Sequence, residues 1–103
     1  NERSVFFDVP VRLASLLLSY AELFGQARGS ALLIRHPLTQ QDLANSLGIV
    51  VRSVSRTLTE WQKQGLIARH KGWITIVEPE HLREMAASLR FHLNYRYSAV
   101  QAR

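Results

Sequence analysis

The sequence predicts a mainly α-helical fold with a small antiparallel β-sheet. Two helical segments with clear start and stop signals lie between residues 38 and 65, and only a short turn separates them. Alternating apolar and polar residues with a central turn follow directly, over residues 66–77. A pair of helices joined by a short turn and followed by a β-hairpin indicates a winged helix-turn-helix. At 103 residues the chain has the size of one such domain, so we expect residues 1–103 to form a single domain.

The segment that precedes the helix pair is expected to contain one helix and one strand. Asp8 is the predicted N-cap of the helix, with Pro10 in its first turn and Gly25 at its end. Apolar residues recur at helical spacing between these limits: Leu13, Leu16, Leu17, Tyr20 and Phe24. Residues 26–30 are predicted to be a loop, and residues 31–35 to form the first strand of the sheet.

The helix pair has clear boundary signals. Thr39, followed three residues later by Asp42, gives the pattern of a capping box, in which each side chain accepts a hydrogen bond from the other residue's backbone N–H. The first helix is predicted to end at Gly48. The second helix, over about residues 51–64, is predicted to end at Gly65, because glycine adopts the left-handed conformation at helix ends without strain. This spacing suits a DNA-binding helix-turn-helix.

The second helix of the pair has two chemically different faces. At 100° per residue, Val54, Leu58 and Trp61 fall within a narrow arc and are expected to face the core. The opposite stripe is polar and consists of Arg52, Ser55, Arg56 and Lys63. A solvated amphipathic helix would give the same pattern, so the stripe alone does not distinguish a plain surface from a binding site.

The charge distribution favours binding of a polyanion. The formal net charge is +5, and residues 28–77 hold seven basic against two acidic residues, while the two flanks together hold six of each. Eleven of the thirteen basic residues are arginine, whose planar guanidinium binds phosphate or guanine through two hydrogen bonds. The excess charge therefore lies in and around the helix pair, as expected for a surface that binds nucleic acid.

A β-hairpin is predicted directly after the second helix. Its strands are residues 66–69 and 73–77, and its tip is residues 70–72. A hairpin in this position is a wing. A hairpin that only covers the core is the alternative, but the basic residues Arg69, His70 and Lys71 at and beside the tip favour contact with DNA phosphates.

A last helix is predicted from Glu78 and Pro79 onwards, covering residues 79–103. Its apolar stripe consists of Leu82, Met85, Ala86, Leu89 and Leu93. Three aromatic residues crowd the otherwise polar positions near its end: Phe91, Tyr95 and Tyr97. We expect these aromatic side chains to cover the domain core or an oligomer contact rather than to bind a ligand.

The composition and motifs exclude several classes of protein. With 47% apolar and 20% charged residues and no apolar run of about 18 residues, no membrane contact is expected. The chain has no cysteine, and its four histidines lack the short spacings of a zinc site, so no metal is predicted. It has no Gly-rich phosphate loop, nucleophile elbow or paired carboxylates, so we expect no enzyme activity. No signal peptide opens the sequence, which makes the cytoplasm the expected location, and Asn at position 1 suggests a processed or truncated piece.

Three segments carry a resemblance to a known family: FFDVPVRLASLLL, LTQQDLANSLGIVVRSVSRTLTEWQKQGLI and ITIVEPEHL. Over about residues 5–86 the chain resembles the C-terminal DNA-binding domain of the Crp/Fnr family of bacterial transcription regulators, most specifically in LTQQDLA, VSRTL and QGLI. The resemblance implies sequence-specific binding of double-stranded DNA, a homodimer in the full-length protein, and RNA polymerase as a further partner. An effector would bind a separate N-terminal domain, so no cofactor is expected in this chain, and residues 1–7 would follow the end of a dimerisation helix.

The resemblance also assigns base-reading residues. Relatives use the residue at the position of Arg56 to read a guanine, and some place a serine before it, as Ser55 stands here. Arg52 departs from the family, which usually has a glutamate there, so we do not expect the usual half-site. Val50 departs as well, because a serine or threonine cap is common where the recognition helix begins. Arg52, Ser55 and Arg56 are the predicted base-reading residues.

The predicted phosphate contacts lie around the recognition helix. Gln40 and Gln41 occupy positions that touch the DNA backbone in relatives, as exposed donors at a helix N-terminus. The full predicted set is Thr39, Gln40, Gln41, Lys63, Arg69, His70 and Lys71. The alternative function is a winged-helix module for protein–protein interaction, in which the wing and the aromatic C-terminal helix bind another protein. DNA binding that weakens steeply with salt would distinguish the two functions.

Overall fold

The computed structural model describes the backbone of residues 2–88 and the side chains of residues 9–88. The elements follow in the order α1 (Glu2–Phe24), β1 (Gly25–Arg28), β2 (Ala31–Ile34), α2 (Gln40–Leu47), α3 (Val51–Lys63), β3 (Ile67–His70) and β4 (Trp73–Ile76). A last helix, α4, covers residues 79–88 of this part of the chain. The strands form one antiparallel sheet in the order β1-β2-β4-β3. The predicted fold class, mainly helical with a small antiparallel sheet, is confirmed.

Helix α1 begins earlier than the sequence predicts. Asp8 is not its N-cap, because the helix already starts at Glu2 and Pro10 lies inside it. A proline two residues after an aspartate is a common helix start, but proline can also stand within a helix when one backbone hydrogen bond is given up. The local signal at Asp8 and Pro10 therefore fits both arrangements, and the structure has the second.

Strand β1 corrects the prediction of a loop over residues 26–30. It pairs with β2 in the register Gly25 with Ile34 and Arg28 with Ala31, which leaves a two-residue turn between the strands. Gly29 opens this turn at φ 62°, as the first central residue of a type II′ turn requires. The four residues of β1, GQAR, include no β-branched or aromatic side chain and are all exposed, so backbone pairing alone defines the strand. The run that begins at Ala31 is consequently the second strand, and it ends at Ile34.

The junction between α1 and β1 depends on a glycine. A Cβ atom at Gly25 would clash with the carbonyl oxygen of Ala21, so the chain can leave the helix here only without a side chain. Phe24, which was predicted on the apolar stripe of α1, is 38% exposed. Its ring stacks on His36 with 4.6 Å between the ring centroids. The core-facing part of α1 therefore ends before Phe24.

One hydrophobic core joins the helices to the inner face of the sheet. Its largest fully buried side chains are Leu13, Leu17, Ile34, Leu43, Leu58, Ile74, Ile76, Leu82 and Val54. Leu38, directly before the α2 cap, is buried in the same core as Leu43. An apolar pair at these two positions fixes the angle at which the chain enters a helix. The core thus supports α2 and α3 from behind.

Helix α4 starts as predicted. The carbonyl of Glu78 accepts from the backbone N–H of His81 at 3.1 Å and from that of Leu82 at 3.3 Å. Leu82 and Ala86 are buried, and Met85 packs against the core at its edge. The remaining predictions for this helix concern residues outside the described part of the chain: Leu89, Phe91, Leu93, Tyr95 and Tyr97.

Candidate nucleic-acid interface

Helix α2 has the predicted capping box. Thr39, in extended conformation, accepts from the N–H of Asp42 at 2.9 Å through its hydroxyl oxygen. The N–H of Thr39 donates back to the Asp42 carboxylate at 3.3 Å. Gly48 ends the helix at φ 69°, in the left-handed region. The first turn of α2 is therefore fixed by local hydrogen bonds, and the chain turns at the predicted glycine.

Helix α3 carries the two faces that its sequence predicts. Val54, Leu58 and Trp61 are buried. On the opposite side Arg52, Arg56 and Lys63 are exposed and Ser55 is half-buried. The helix ends at Lys63, and Gly65 follows at φ 76°. The structure therefore brings the three predicted base-reading residues onto one accessible face of one helix.

The start of α3 has exposed apolar side chains that the sequence analysis did not assign to the site. Val50 stands at the N-cap position without a side-chain hydrogen bond and is 68% exposed, and Val51 is 39% exposed. At 100° per residue, Val51 lies on the same face of α3 as Leu58. It is nevertheless exposed, because the first turn of the helix extends past the edge of the core. Position at the helix end, rather than angle around the helix, is the signal that identifies these two residues. They add methyl groups to the surface next to Arg52.

The wing is a tight hairpin with a two-residue tip. His70 pairs with Trp73, so His70 belongs to β3 and the tip is Lys71 and Gly72 rather than the predicted residues 70–72. Both tip residues have positive φ, 52° and 81°, as a type I′ turn requires. This turn matches the twist of the strands, which is why a lysine is held in an otherwise unfavourable conformation. Lys71 is exposed at the end of the wing.

The wing is joined to the start of the helix-turn-helix at two points. The N–H of Leu38 donates to the carbonyl of Gly72 at 3.1 Å. When the Gln40 amide is turned so that its oxygen rather than its nitrogen faces the donors of Arg69, that oxygen accepts from Nη1 and Nη2 of Arg69 at 3.1 and 3.2 Å. Gln41 instead donates to Asn45 on its own helix at 2.9 Å. Two predicted phosphate-contacting residues, Gln40 and Arg69, are thus in contact with each other.

The basic side chains of this surface are not neutralised by acids. Among residues 9–88, the salt bridge that forms joins Arg83 to Glu80 on α4, at 2.7 Å. No group of three or more His, Cys, Asp or Glu side chains in the described part of the chain could hold a metal ion. Within that same part, no helix has both the length and the apolar character to cross a membrane. The exposed surface of α2, α3 and the wing therefore carries cationic and amide hydrogen-bond donors, which suit a polyanion.

The fold and this surface define a winged helix-turn-helix domain of the DNA-binding class. Residues 11–85 match the family of the Crp-like helix-turn-helix domain, and the chain belongs to this family. It is a DNA-binding helix-turn-helix domain of the CRP/FNR family, which is a family of transcription regulators and not of enzymes. The family, the fold and the DNA-binding function that the sequence predicts are therefore confirmed.

Two relatives illustrate the match. The chain is 36% identical over 72 residues to the CRP-like cAMP-activated global transcriptional regulator of Mycobacterium tuberculosis, covering 70% of this chain and 29% of that protein. It is 33% identical over 79 residues to the fumarate and nitrate reduction regulatory protein of Escherichia coli, covering 77% of this chain and 32% of that protein. The chain spans about a third of the length of these relatives and aligns with their C-terminal portion.

Two solved structures share the fold of this chain. The CO-dependent transcription factor CooA of Carboxydothermus hydrogenoformans superimposes with a TM-score of 0.72 at 25% identity, covering 80% of this chain and 38% of that one. A CRP/FNR-family transcriptional regulator of Thermus thermophilus has the same fold, with a TM-score of 0.66 at 24% identity, covering 76% of this chain and 40% of that one.

Proposed function

We propose that this domain binds a specific double-stranded DNA site, with α3 in the major groove and the wing along the backbone. The observation that carries the proposal is the exposed face of α3, where Arg52 and Arg56 are accessible on the side opposite buried Leu58. An α-helix fits the major groove, and arginine donates to the O6 and N7 acceptors of guanine. Arg52, Ser55 and Arg56 are the proposed base-reading residues.

The proposed phosphate contacts surround this face. They are Thr39, Gln40 and Gln41 at the start of α2, Lys63 at the end of α3, and Arg69, His70 and Lys71 on the wing. All except Gln40 are exposed, and Gln40 is half-buried. Contacts of this kind set the register of a protein on the duplex without reading sequence. The base-reading residues supply the preference, and the surrounding donors supply most of the affinity.

The proposed operator differs from one read by a glutamate at position 52. A glutamate accepts a hydrogen bond from cytosine N4 or adenine N6, whereas the guanidinium of Arg52 only donates. The preferred base at that step should therefore be guanine. Exposed Val50 and Val51 fit contact with a thymine methyl group at a neighbouring step.

The wider setting follows from the family. We propose that the full-length regulator is a homodimer whose two half-sites form an inverted repeat with about 34 Å between centres. An effector would bind an N-terminal domain, so residues 1–103 would act as one output domain without a cofactor. RNA polymerase is the proposed further partner, and the bacterial cytoplasm the proposed location.

The proposal can be tested by selecting bound sequences from random duplexes with the 103-residue chain. The selected duplex is then titrated with the chain at several salt concentrations. We expect a short enriched motif and an affinity that falls with salt as about five to seven neutralised phosphates predict, at a slope near −0.9 per contact. Repeating the selection with Arg52→Glu should change the enriched base at one position. Uniform weakening on all sequences would make Arg52 a backbone contact, and titrations independent of salt would favour the protein-interaction module.

A further inference from the structure

The contact between Gln40 and Arg69 links two elements that are far apart in the sequence. Gln40 is the first residue of α2, and Arg69 lies on β3 of the wing. A single oxygen of Gln40 accepts from both terminal nitrogens of Arg69, at 3.1 and 3.2 Å. Gln40 is half-buried, while Arg69 is exposed. The amide therefore holds the guanidinium from the protein side and leaves its other side open to solvent.

Both ends of this contact are held in place by other bonds. The capping box of Thr39 and Asp42 fixes the first turn of α2, which carries Gln40. The bond from the Leu38 N–H to the Gly72 carbonyl fixes the wing tip against the residues just before that turn. Arg69 pairs with buried Ile74, so its side chain leaves the wing on the face that looks toward the helices. Hydrogen bonds therefore hold the backbone on both sides of the contact, and Arg69 leaves β3 on the side of Gln40.

The chemistry of the pair preserves the charge of Arg69. A neutral amide oxygen orients a guanidinium and leaves its positive charge in place. A carboxylate in the same position would cancel that charge. Of the five N–H donors of an arginine, the contact with Gln40 occupies two, so three remain for a ligand. A planar fork with free donors and a full positive charge is suited to a phosphate oxygen pair.

We infer that Gln40 is a positioning residue, which acts on DNA through Arg69 by aiming its guanidinium at a phosphate where the wing meets the helix-turn-helix. The inference rests on the proposed DNA binding and deepens it. It gives Gln40 and Arg69 one joint phosphate contact in place of two separate ones. Gln41, the adjacent glutamine, bonds to Asn45 instead and has no part in this contact.

A double-mutant cycle on the 103-residue chain tests the coupling. The variants are Gln40→Ala, Arg69→Ala and their combination, titrated with the selected duplex between about 0.05 and 0.2 M salt. Arg69→Ala should weaken binding about eightfold at 0.1 M salt and reduce the magnitude of the salt slope by about 0.9. Gln40→Ala should weaken binding less, and should have no further effect once Arg69 is alanine. The matched control Gln41→Ala should act to the same extent with or without Arg69.

A charge variant separates positioning from a purely structural role. Gln40→Glu keeps the acceptor but neutralises Arg69, so it should reduce the magnitude of the salt slope by about one contact, and thermal stability should not fall because a carboxylate is favourable at the start of α2. If Gln40→Ala has an equal effect in both backgrounds, or if Gln40→Glu leaves the salt slope unchanged, the coupling between Gln40 and Arg69 is overturned. The proposed DNA binding is not affected by either result. If the unmodified chain shows no salt-dependent DNA binding, the proposed function is overturned and the coupling with it.

Discussion

Helix α3 and the wing both carry exposed basic side chains, but the two elements are held in different ways. Helix α3 is fixed from behind by the burial of Val54, Leu58 and Trp61. The wing tip is fixed by hydrogen bonds to Leu38 and, through Arg69, to Gln40. Burial of a helix face sets the orientation of every residue on the opposite face at once. The proposed base reading would therefore depend on core packing, whereas the proposed backbone contact would depend on a few polar hydrogen bonds.

The strongest test of this comparison removes packing behind α3. Leu58→Ala deletes a fully buried side chain and should lower the free energy of unfolding by about 2 to 5 kcal/mol. Urea unfolding measures the loss. Thr59→Ala, an exposed neighbour on the same helix, should change stability by less than about 0.5 kcal/mol. Similar losses for the two variants would mean that the core does not hold α3.

The next test concerns the face that the packing presents. Arg56→Ala should weaken binding to the selected duplex by about 1 to 3 kcal/mol and binding to random DNA by much less, because a base contact is lost. Fluorescence anisotropy with the two duplexes measures both. Arg83→Ala, which removes an arginine paired with Glu80 on α4, is the matched control and should leave both affinities unchanged. Equal losses on the two duplexes would make Arg56 a backbone contact.

The wing should behave in the opposite way. Lys71→Ala should weaken binding about eightfold at 0.1 M salt on selected and random DNA alike, and should reduce the magnitude of the salt slope by about 0.9. The enriched motif should not change, because a phosphate contact carries no sequence information. A shift in the motif with Lys71→Ala would contradict the assignment of the wing to the backbone.

The smallest expected effect concerns the turn itself. Lys71 has φ 52°, a conformation that costs a residue with a Cβ about 1 to 2 kcal/mol and glycine much less. Lys71→Gly should therefore be more stable than Lys71→Ala by roughly 0.5 to 1 kcal/mol in urea unfolding, although both lose the same cation. If the alanine variant is equally stable, the lysine conformation carries no strain and the wing tip is freer than its backbone indicates.

Elements whose limits are set by neighbouring residues could be predicted from the sequence, whereas elements that depend on distant parts of the chain could not. The boundaries of α2 and the end of α3 depend on Thr39, Asp42, Gly48 and Gly65, which act on neighbours within a few residues, so the sequence predicts them correctly. Strand β1 depends on pairing with β2, and nothing in its four side chains indicates it. The early start of α1 was missed because Asp8 and Pro10 fit two arrangements equally well.

The candidate site likewise has residues that could be predicted from the sequence and a contact that could not. The stripe of Arg52, Ser55 and Arg56 follows from helical periodicity and could be predicted from sequence alone. The contact between Gln40 and Arg69 could not, because it requires the register of the wing and the path of the chain before α2. The exposure of Val50 depends on where the core ends, which periodicity does not specify.

The bond between Arg12 and Leu47 has a mechanical consequence. Nη2 of Arg12, in the middle of α1, donates to the carbonyl of Leu47 at the end of α2 at 2.6 Å. Leu13 and Leu17 on α1 share the core with Leu58 on α3, so the three helices resist sliding past one another. With 23 residues, α1 is a rod about 34 Å long. A rotation of the core-facing part of α1 should therefore carry α2 and α3 with it, because the shared core and the bond from Arg12 to Leu47 join the three helices.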